Sequence, residues 1–167
     1  MKHIRVLLQE GIKKRLSEVS QDEKVVGIIL RKSKKVVSLN LYPPTEFSKT
    51  DLSRAKGISI SEQEKAEKDF NGYENTKRLM KYEILKFRLE KNEYLPSLGE
   101  LREAVSFLPE INLVRKKLGL DIIQNRWFWS STLRDKDSVW IVYSDGYVYW
   151  GYWNYRYGYC VLAFLRK

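Results

Sequence analysis

One cysteine, one histidine and four prolines are all that 167 residues contain of these three types, and each scarcity removes a class of protein. Cys160 has no second thiol to pair with, so a disulfide scaffold and a cysteine-based zinc site are excluded within the chain. His3 alone cannot supply a histidine cluster for iron, and a Ser-His-Asp triad would have to be built on that residue. No run approaches the roughly 18 apolar residues of a transmembrane helix. Met1 to Ile12 has a basic start but neither a long apolar run nor a small-residue cleavage site, so no signal peptide is read. With 43% hydrophobic residues, positions 1-167 fit one compact soluble domain whose core needs no staple.

Charge is plentiful but uneven. The net +10 invites a polyanionic partner. Residues 1-56 hold 13 cations to 6 anions, 57-120 hold 12 to 11, and 121-167 hold 6 to 4. The aromatics gather at the other end: all five tryptophans lie between Trp127 and Trp153, and seven of eleven tyrosines between Tyr143 and Tyr159. A single-strand nucleic-acid binder interleaves its stacking rings with a cationic track. The separation argues against that use unless folding brings the two regions together.

Hydrophobic spacing divides the chain into three zones. In 1-56, Ile4, Leu7, Leu8, Ile12 and Leu16 predict a short basic helix, weakened by Gly11. Residues 24-30 and 36-41 predict two strands around a solvated turn at Arg31 to Lys35, with Pro43-Pro44 ending the second strand. In 57-120, a helix is predicted from Asn75 or Thr76 through Leu79, Tyr82, Leu85, Phe87 and Leu89. A second follows the capping box of Ser97 and Glu100, and a third starts near Pro109, buries Ile111, Val114 and Leu118, and stops at Gly119. In 121-167 everything reads as strand and turn: 127-132, a hairpin from Val139 to Tyr149 around Ser144-Asp145-Gly146, and a doubly buried strand from Cys160 to Leu165.

The series Asp69-Phe70-Asn71-Gly72-Tyr73-Glu74-Asn75-Thr76, Tyr94-Leu95-Pro96-Ser97-Leu98-Gly99-Glu100-Leu101, Ile111-Asn112, Trp129-Ser130-Ser131-Thr132 and Ser144-Asp145-Gly146 resembles a bacterial and phage family. That family is the collagen-like lectin C-terminal domain family, with a C-type-lectin-like fold, and especially its variable proteins of diversity-generating retroelements, similar to a major tropism determinant. The match is best over 57-167 and looser over 1-56. The resemblance implies an α+β fold, two or three helices packed on small twisted antiparallel sheets, with a hypervariable aromatic surface near the C-terminus. With no signal peptide read, the first expectation is a cytoplasmic or phage-borne protein, or cell-surface display if an export signal has been removed. Adenine-directed mutagenesis in such proteins yields mostly Tyr, Asn, Ser, Asp and Gly. Tyr147, Tyr149, Gly151, Tyr152, Asn154, Tyr155, Tyr157, Gly158 and Tyr159 fit that palette, while Trp150, Trp153 and Arg156 depart from it.

Tyrosine offers a large rigid contact area with few rotors to freeze and a hydroxyl that tolerates water. In a strand, Tyr147 and Tyr149 share one face while Val148 anchors the other. The expected ligand-binding set is therefore Tyr147, Tyr149, Trp150, Tyr152, Trp153, Asn154, Tyr155, Tyr157 and Tyr159, set against the alternative that these rings fill a core. The expected function is a non-enzymatic display protein for a protein or surface-glycan ligand, with no metal and no cofactor. Enzymes of the same fold family need a cysteine pair or a histidine cluster, and Asp135 with Asp137 reads as a solvated loop rather than a glycosidase pair. The Glu-Pro-Asn, Gln-Pro-Asp and Trp-Asn-Asp triplets of calcium-dependent lectins are absent. Two alternatives stay open: a metal-independent carbohydrate-binding module stacking sugars on Trp150 and Trp153, and a nucleic-acid-binding or assembly subunit using the basic first zone.

Overall fold

The computed structural model describes residues 3-47, 52, 59-85, 87-155 and 158-166. Its first zone contains strands where a helix was expected. Ile4, Val6 and Leu8 are buried and alternate with the more exposed Arg5 and Leu7 through β1 (Arg5–Leu8). The chain turns at Gly11, whose φ of 82° suits glycine, and returns as β2 (Lys13–Arg15). The helical spacing fails because β3 (Val25–Ile29) offers its edge to β1, pairing Val6 with Ile28, so tertiary pairing selects the period-two subset and leaves Ile12 exposed.

β3 and β4 (Val36–Thr45) form the expected hairpin, closed by Leu30 N–H to Lys35 O at 2.8 Å. Its turn is docked rather than free: the N–H groups of Lys32 and Ser33 both donate to Glu103 Oε1 at 3.0 Å. β4 does not stop at Pro43-Pro44. Both prolines are exposed, and the pairing of β4 with the last strand shifts register between Tyr42 and Thr45, so the ladder asks no N–H of them.

The helices are short: α1 (Gln63–Ala66), α2 (Gly72–Lys81), α3 (Leu98–Ser106) and α4 (Leu108–Lys117). α2 starts and ends earlier than its spacing suggested, because Glu83 turns into the left-handed region (φ 54°) and Leu85 bridges Phe47 instead. α3 has its capping box, with Ser97 N–H donating to Glu100 Oε2 at 2.8 Å. α4 ends before Gly119 (φ 73°) and buries Ile111 and Val114, whereas Leu118 is exposed. The remaining strands are β5 (Glu93–Tyr94), β6 (Trp127–Leu133), β7 (Ser138–Tyr143), β8 (Val148–Tyr152) and β9 (Tyr159–Leu165).

All nine strands join one sheet in the order β2-β1-β3-β4-β9-β6-β7-β8, with β5 also on β9. β9 is the hinge of the topology: it runs antiparallel to β4 and parallel to β6, where Phe128 meets Cys160. Its alternate residues feed two cores. Cys160, Leu162 and Phe164 join Leu98, Leu101, Phe128 and Val142, while Val161 and Ala163 join Phe47, Leu79, Trp129 and Ile141. The expected α+β, C-type-lectin-like arrangement of helices on small sheets is therefore corrected. The chain is mostly β, one continuous sheet with short helices, because β4 pairs with β9 across more than a hundred residues of sequence.

Candidate binding surface

Three of the motifs behind the family resemblance, around Asp69 to Thr76, Ser97 to Glu100 and Thr132, meet in a buried polar network. Asp69 Oδ2 accepts from Asn75 Nδ2 at 2.8 Å and from Thr132 Oγ1 at 2.7 Å, and Asp69 Oδ1 accepts the Asn71 N–H at 3.0 Å. The main-chain oxygen of Asp69 accepts from Ser97 Oγ at 2.6 Å and from Gly99 N–H at 2.9 Å. Glu100 meets Lys35 Nζ and accepts from Tyr94 OH at 3.3 Å; burial raises the pKa of both acids, against the pull of Lys35 on the carboxylate. These hydrogen bonds tie α2, α3 and β6 together, while the buried Ser131 Oγ of the same β6 motif has no partner among the described residues. The motifs are scaffold.

On that scaffold the β7–β8 hairpin turns through Ser144-Asp145-Gly146, with Gly146 N–H to Tyr143 O at 2.8 Å and Gly146 φ at 98°. Four rings of the expected set are exposed: Tyr147 (60%), Tyr149 (47%), Tyr152 (55%) and Tyr155 (39%). Tyr147 and Tyr149 stack at 6.1 Å on one face and flank Trp127 at 6.3 and 6.5 Å. Half-buried Trp150 stacks on Tyr149 at 5.5 Å, meets Tyr152 edge-on at 5.5 Å and carries the Arg134 guanidinium 4.5 Å above its ring. Asn154 is exposed in the following turn.

Two residues of the expected set also pack against the core. Tyr159 packs edge-on against buried Trp129 at 4.6 Å and lies over Gly151, and burial, then Tyr155, raises its phenol pKa. Trp153 packs on the second core, its N–H donating to Asp137 O and its C=O accepting from Phe47 N–H. Trp153 and Tyr159 are thus partly buried against the second core, and Tyr147, Tyr149, Tyr152 and Tyr155 are exposed. Tyr157 lies outside the described residues.

Trp127, which composition marked only as the first of the clustered tryptophans, belongs to this surface with Arg126 and Arg134, to which composition drew no attention. The alternation in Trp127-Phe128-Trp129 was the available signal, because buried Phe128 puts Trp127 on the tyrosine face. Arg126 is clamped at its backbone by Ser144, and its Nη1 points inward to Cys160 Sγ at 3.7 Å. It lines a cleft of about 470 Å³ with Asn125, Trp127, Tyr149, Tyr155 and Tyr159, and no described residue of that lining is acidic. Of the basic first zone, Lys13, Lys14 and Arg15 are remote, since β2 and β8 are at opposite ends of the sheet, whereas Lys32 and Ser33 line a pocket with Asp145 and Gly146 at the hairpin turn.

No protein-family model matches the chain, and no curated relative does. Among solved structures, it is similar to a fimbrial protein from Bacteroides ovatus ATCC 8483, with a TM-score of 0.66 at 17% identity. The match covers 98% of this chain and 48% of the other, so the chain spans about half that protein's length. At this identity the likeness concerns the fold alone, and it is to a mostly β arrangement, which replaces the C-type-lectin-like one. Among the described residues, no helix is long and apolar enough to cross a membrane.

Proposed function

We propose that this protein is a non-enzymatic binding protein whose last hairpin presents tyrosines to a macromolecular partner, a protein or a surface glycan. The observation that carries the reading is the joint exposure of Tyr147, Tyr149, Tyr152 and Tyr155 on a scaffold tied by a buried hydrogen-bond network. Contiguous exposed aromatics on a rigid support favour association. The surface suits the exchange expected of a retroelement variable protein at Tyr147, Tyr149, Tyr152, Asn154 and Tyr155, since none of these supports the network. Gly151 and Gly158 do not suit it, for Tyr159 covers the first and Thr45 backbone crowds the second.

The test is a triple variant, Tyr147→Ser, Tyr149→Ser and Tyr152→Ser, compared with wild type on a glycan array and against a random peptide library displayed on phage. Binding should be lost while the melting temperature stays within a few degrees, because exposed truncations usually change stability by less than about 0.5 kcal/mol. A collapse of the fold would sink the reading. The name of the similar structure, a fimbrial protein, favours a second reading, a subunit of a surface assembly. Concentration-dependent filaments in electron micrographs would distinguish it.

A further inference from the structure

Hydrogen-bond alternation decides which backbone groups of β8 face away from the sheet. Tyr143 N–H donates to Tyr147 O at 2.9 Å at one end, and Trp153 N–H to Asp137 O at 3.2 Å at the other. Given the register Val142↔Val148, Trp140↔Trp150 and Ser138↔Tyr152, antiparallel alternation makes these the non-hydrogen-bonded pairs. The N–H and C=O groups of Val148 and Trp150 and the N–H of Tyr152 therefore point outward, Tyr152 O being taken by Tyr155 N–H. Among the described residues, the only strand paired with β8 is β7. Open edges are ordinarily guarded by cations, proline or shortness. The opposite edge has that guard, since β2 is only Lys13, Lys14 and Arg15. The sequence of β8, Val-Tyr-Trp-Gly-Tyr, holds no charge and no proline.

We propose that β8 receives an extended, acidic segment of a partner polypeptide as an added strand. This rests on the reading of the hairpin as a binding surface and names what binds there. Charge selects the occupant. Arg126 lines the cleft with Tyr149 and Trp150, whose rings stack at 5.5 Å, and Arg134, which also meets Asp135 at 2.9 Å, lies over the Trp150 ring. A carboxylate beside Trp150 on an added strand would meet the Arg134 guanidinium, one directed into the cleft would approach Arg126, and residues 121-167 hold 6 cations to 4 anions. The chain's net +10 disfavours a second copy of this chain, whose β8 would bring a second Arg134 to the edge. Main-chain bonds along Val148, Trp150 and Tyr152 would give affinity, and the cleft beside Tyr149 would select one inward side chain.

The test selects a random peptide library displayed on phage against the wild-type protein, then measures the recovered peptides on two variants, Trp150→Thr and Trp150→Pro. Both lose the ring, and only the second loses the outward N–H, which proline on an edge strand can do without breaking the sheet. Recovered sequences should alternate β-branched or aromatic residues with acidic ones and omit proline. They should bind Trp150→Thr at least about tenfold more tightly than Trp150→Pro. Amide exchange at Val148, Trp150 and Tyr152 in wild type should slow when peptide binds, a reading that decides the matter if Trp150→Pro fails to fold. Equal binding to two folded variants, basic or proline-rich sequences, or no recovered peptide would overturn the proposal. So would slowed exchange at these amides on concentrating the protein alone, the signature of a second copy. If Trp150→Pro binds as Trp150→Thr does while the triple tyrosine variant loses binding, edge pairing falls and the aromatic surface stands. If the triple variant binds like wild type, the surface reading itself falls.

Discussion

Thr132 Oγ1 donates a 2.7 Å hydrogen bond to Asp69 Oδ2, tying the middle of β6 to the entry of α2 across 63 residues of sequence. Both groups are buried, and Asp69 has three further donors on its backbone and side chain besides Thr132 and Asn71, namely Asn75, Ser97 and Gly99. Replacing Asp69 with Ala leaves Asn75 and Thr132 without their buried acceptor. Each such orphan costs about 1–3 kcal/mol. Urea denaturation of Asp69→Ala should show a loss in that range or above, and a change under about 0.5 kcal/mol would show that water replaces the carboxylate.

Glu100 gives the stability a defined pH dependence. Burial raises its folded pKa above the ordinary 4.5, and the ion pair with Lys35 and the bond from Ser97 N–H only partly offset this. A raised folded pKa means that the contribution is fully present below about pH 4.5 and is lost as pH rises through the folded value. Glu100→Gln should flatten that decline. Denaturant midpoints for both proteins across the acid range should converge toward low pH and separate upward, with wild type falling; a wild type that gains on the variant as pH rises contradicts the sign.

Neighbouring tyrosines should differ sharply. Tyr159→Ala removes the ring packed on Trp129 and covering Gly151, so it should cost roughly 3–5 kcal/mol as an aromatic core deletion. Tyr152→Ala, at an exposed position, should cost less than about 0.5 kcal/mol. Thermal melts of the two single variants check this, and equal shifts would merge the two roles.

Gly151 is fixed by its neighbour. A Cβ there would lie 2.7 Å from the Tyr159 ring. Gly151→Ser should lower stability by about 1–3 kcal/mol, the usual cost of overpacking. The same variant with Tyr159→Ala should lose less than the sum of the single effects, which a double-mutant cycle measures.

Burial on both faces makes β9 intolerant of charge. Leu162→Asp places a carboxylate in an apolar core, and Val148→Asp does so under the hairpin. Both should abolish cooperative unfolding at neutral pH, as seen by circular dichroism. A folded Leu162→Asp protein would contradict the β9 assignment.

Local chemistry made several elements legible in the sequence. Asp145-Gly146 between aromatic runs specifies the β7–β8 turn, Ser97 with Glu100 specifies the start of α3, and the run from Cys160 to Leu165 declares a strand with no solvent face. These signals are carried within a few residues, where backbone geometry and side-chain chemistry suffice. The N-terminal segment was not legible, because its helical and alternating spacings compete and only the edge of β3 selects the second. The fold class was likewise a long-range matter: the pairing of Val36 with Leu165 and of Phe128 with Cys160 merges separate strand groups into one sheet. The division among the aromatic residues followed from the same source. Composition placed the rings in one stretch, whereas the sheet put Tyr159 and Trp153 against its core and Tyr147, Tyr149 and Tyr152 in solvent, since a ring's fate depends on what faces it across strands rather than on its neighbours along the chain.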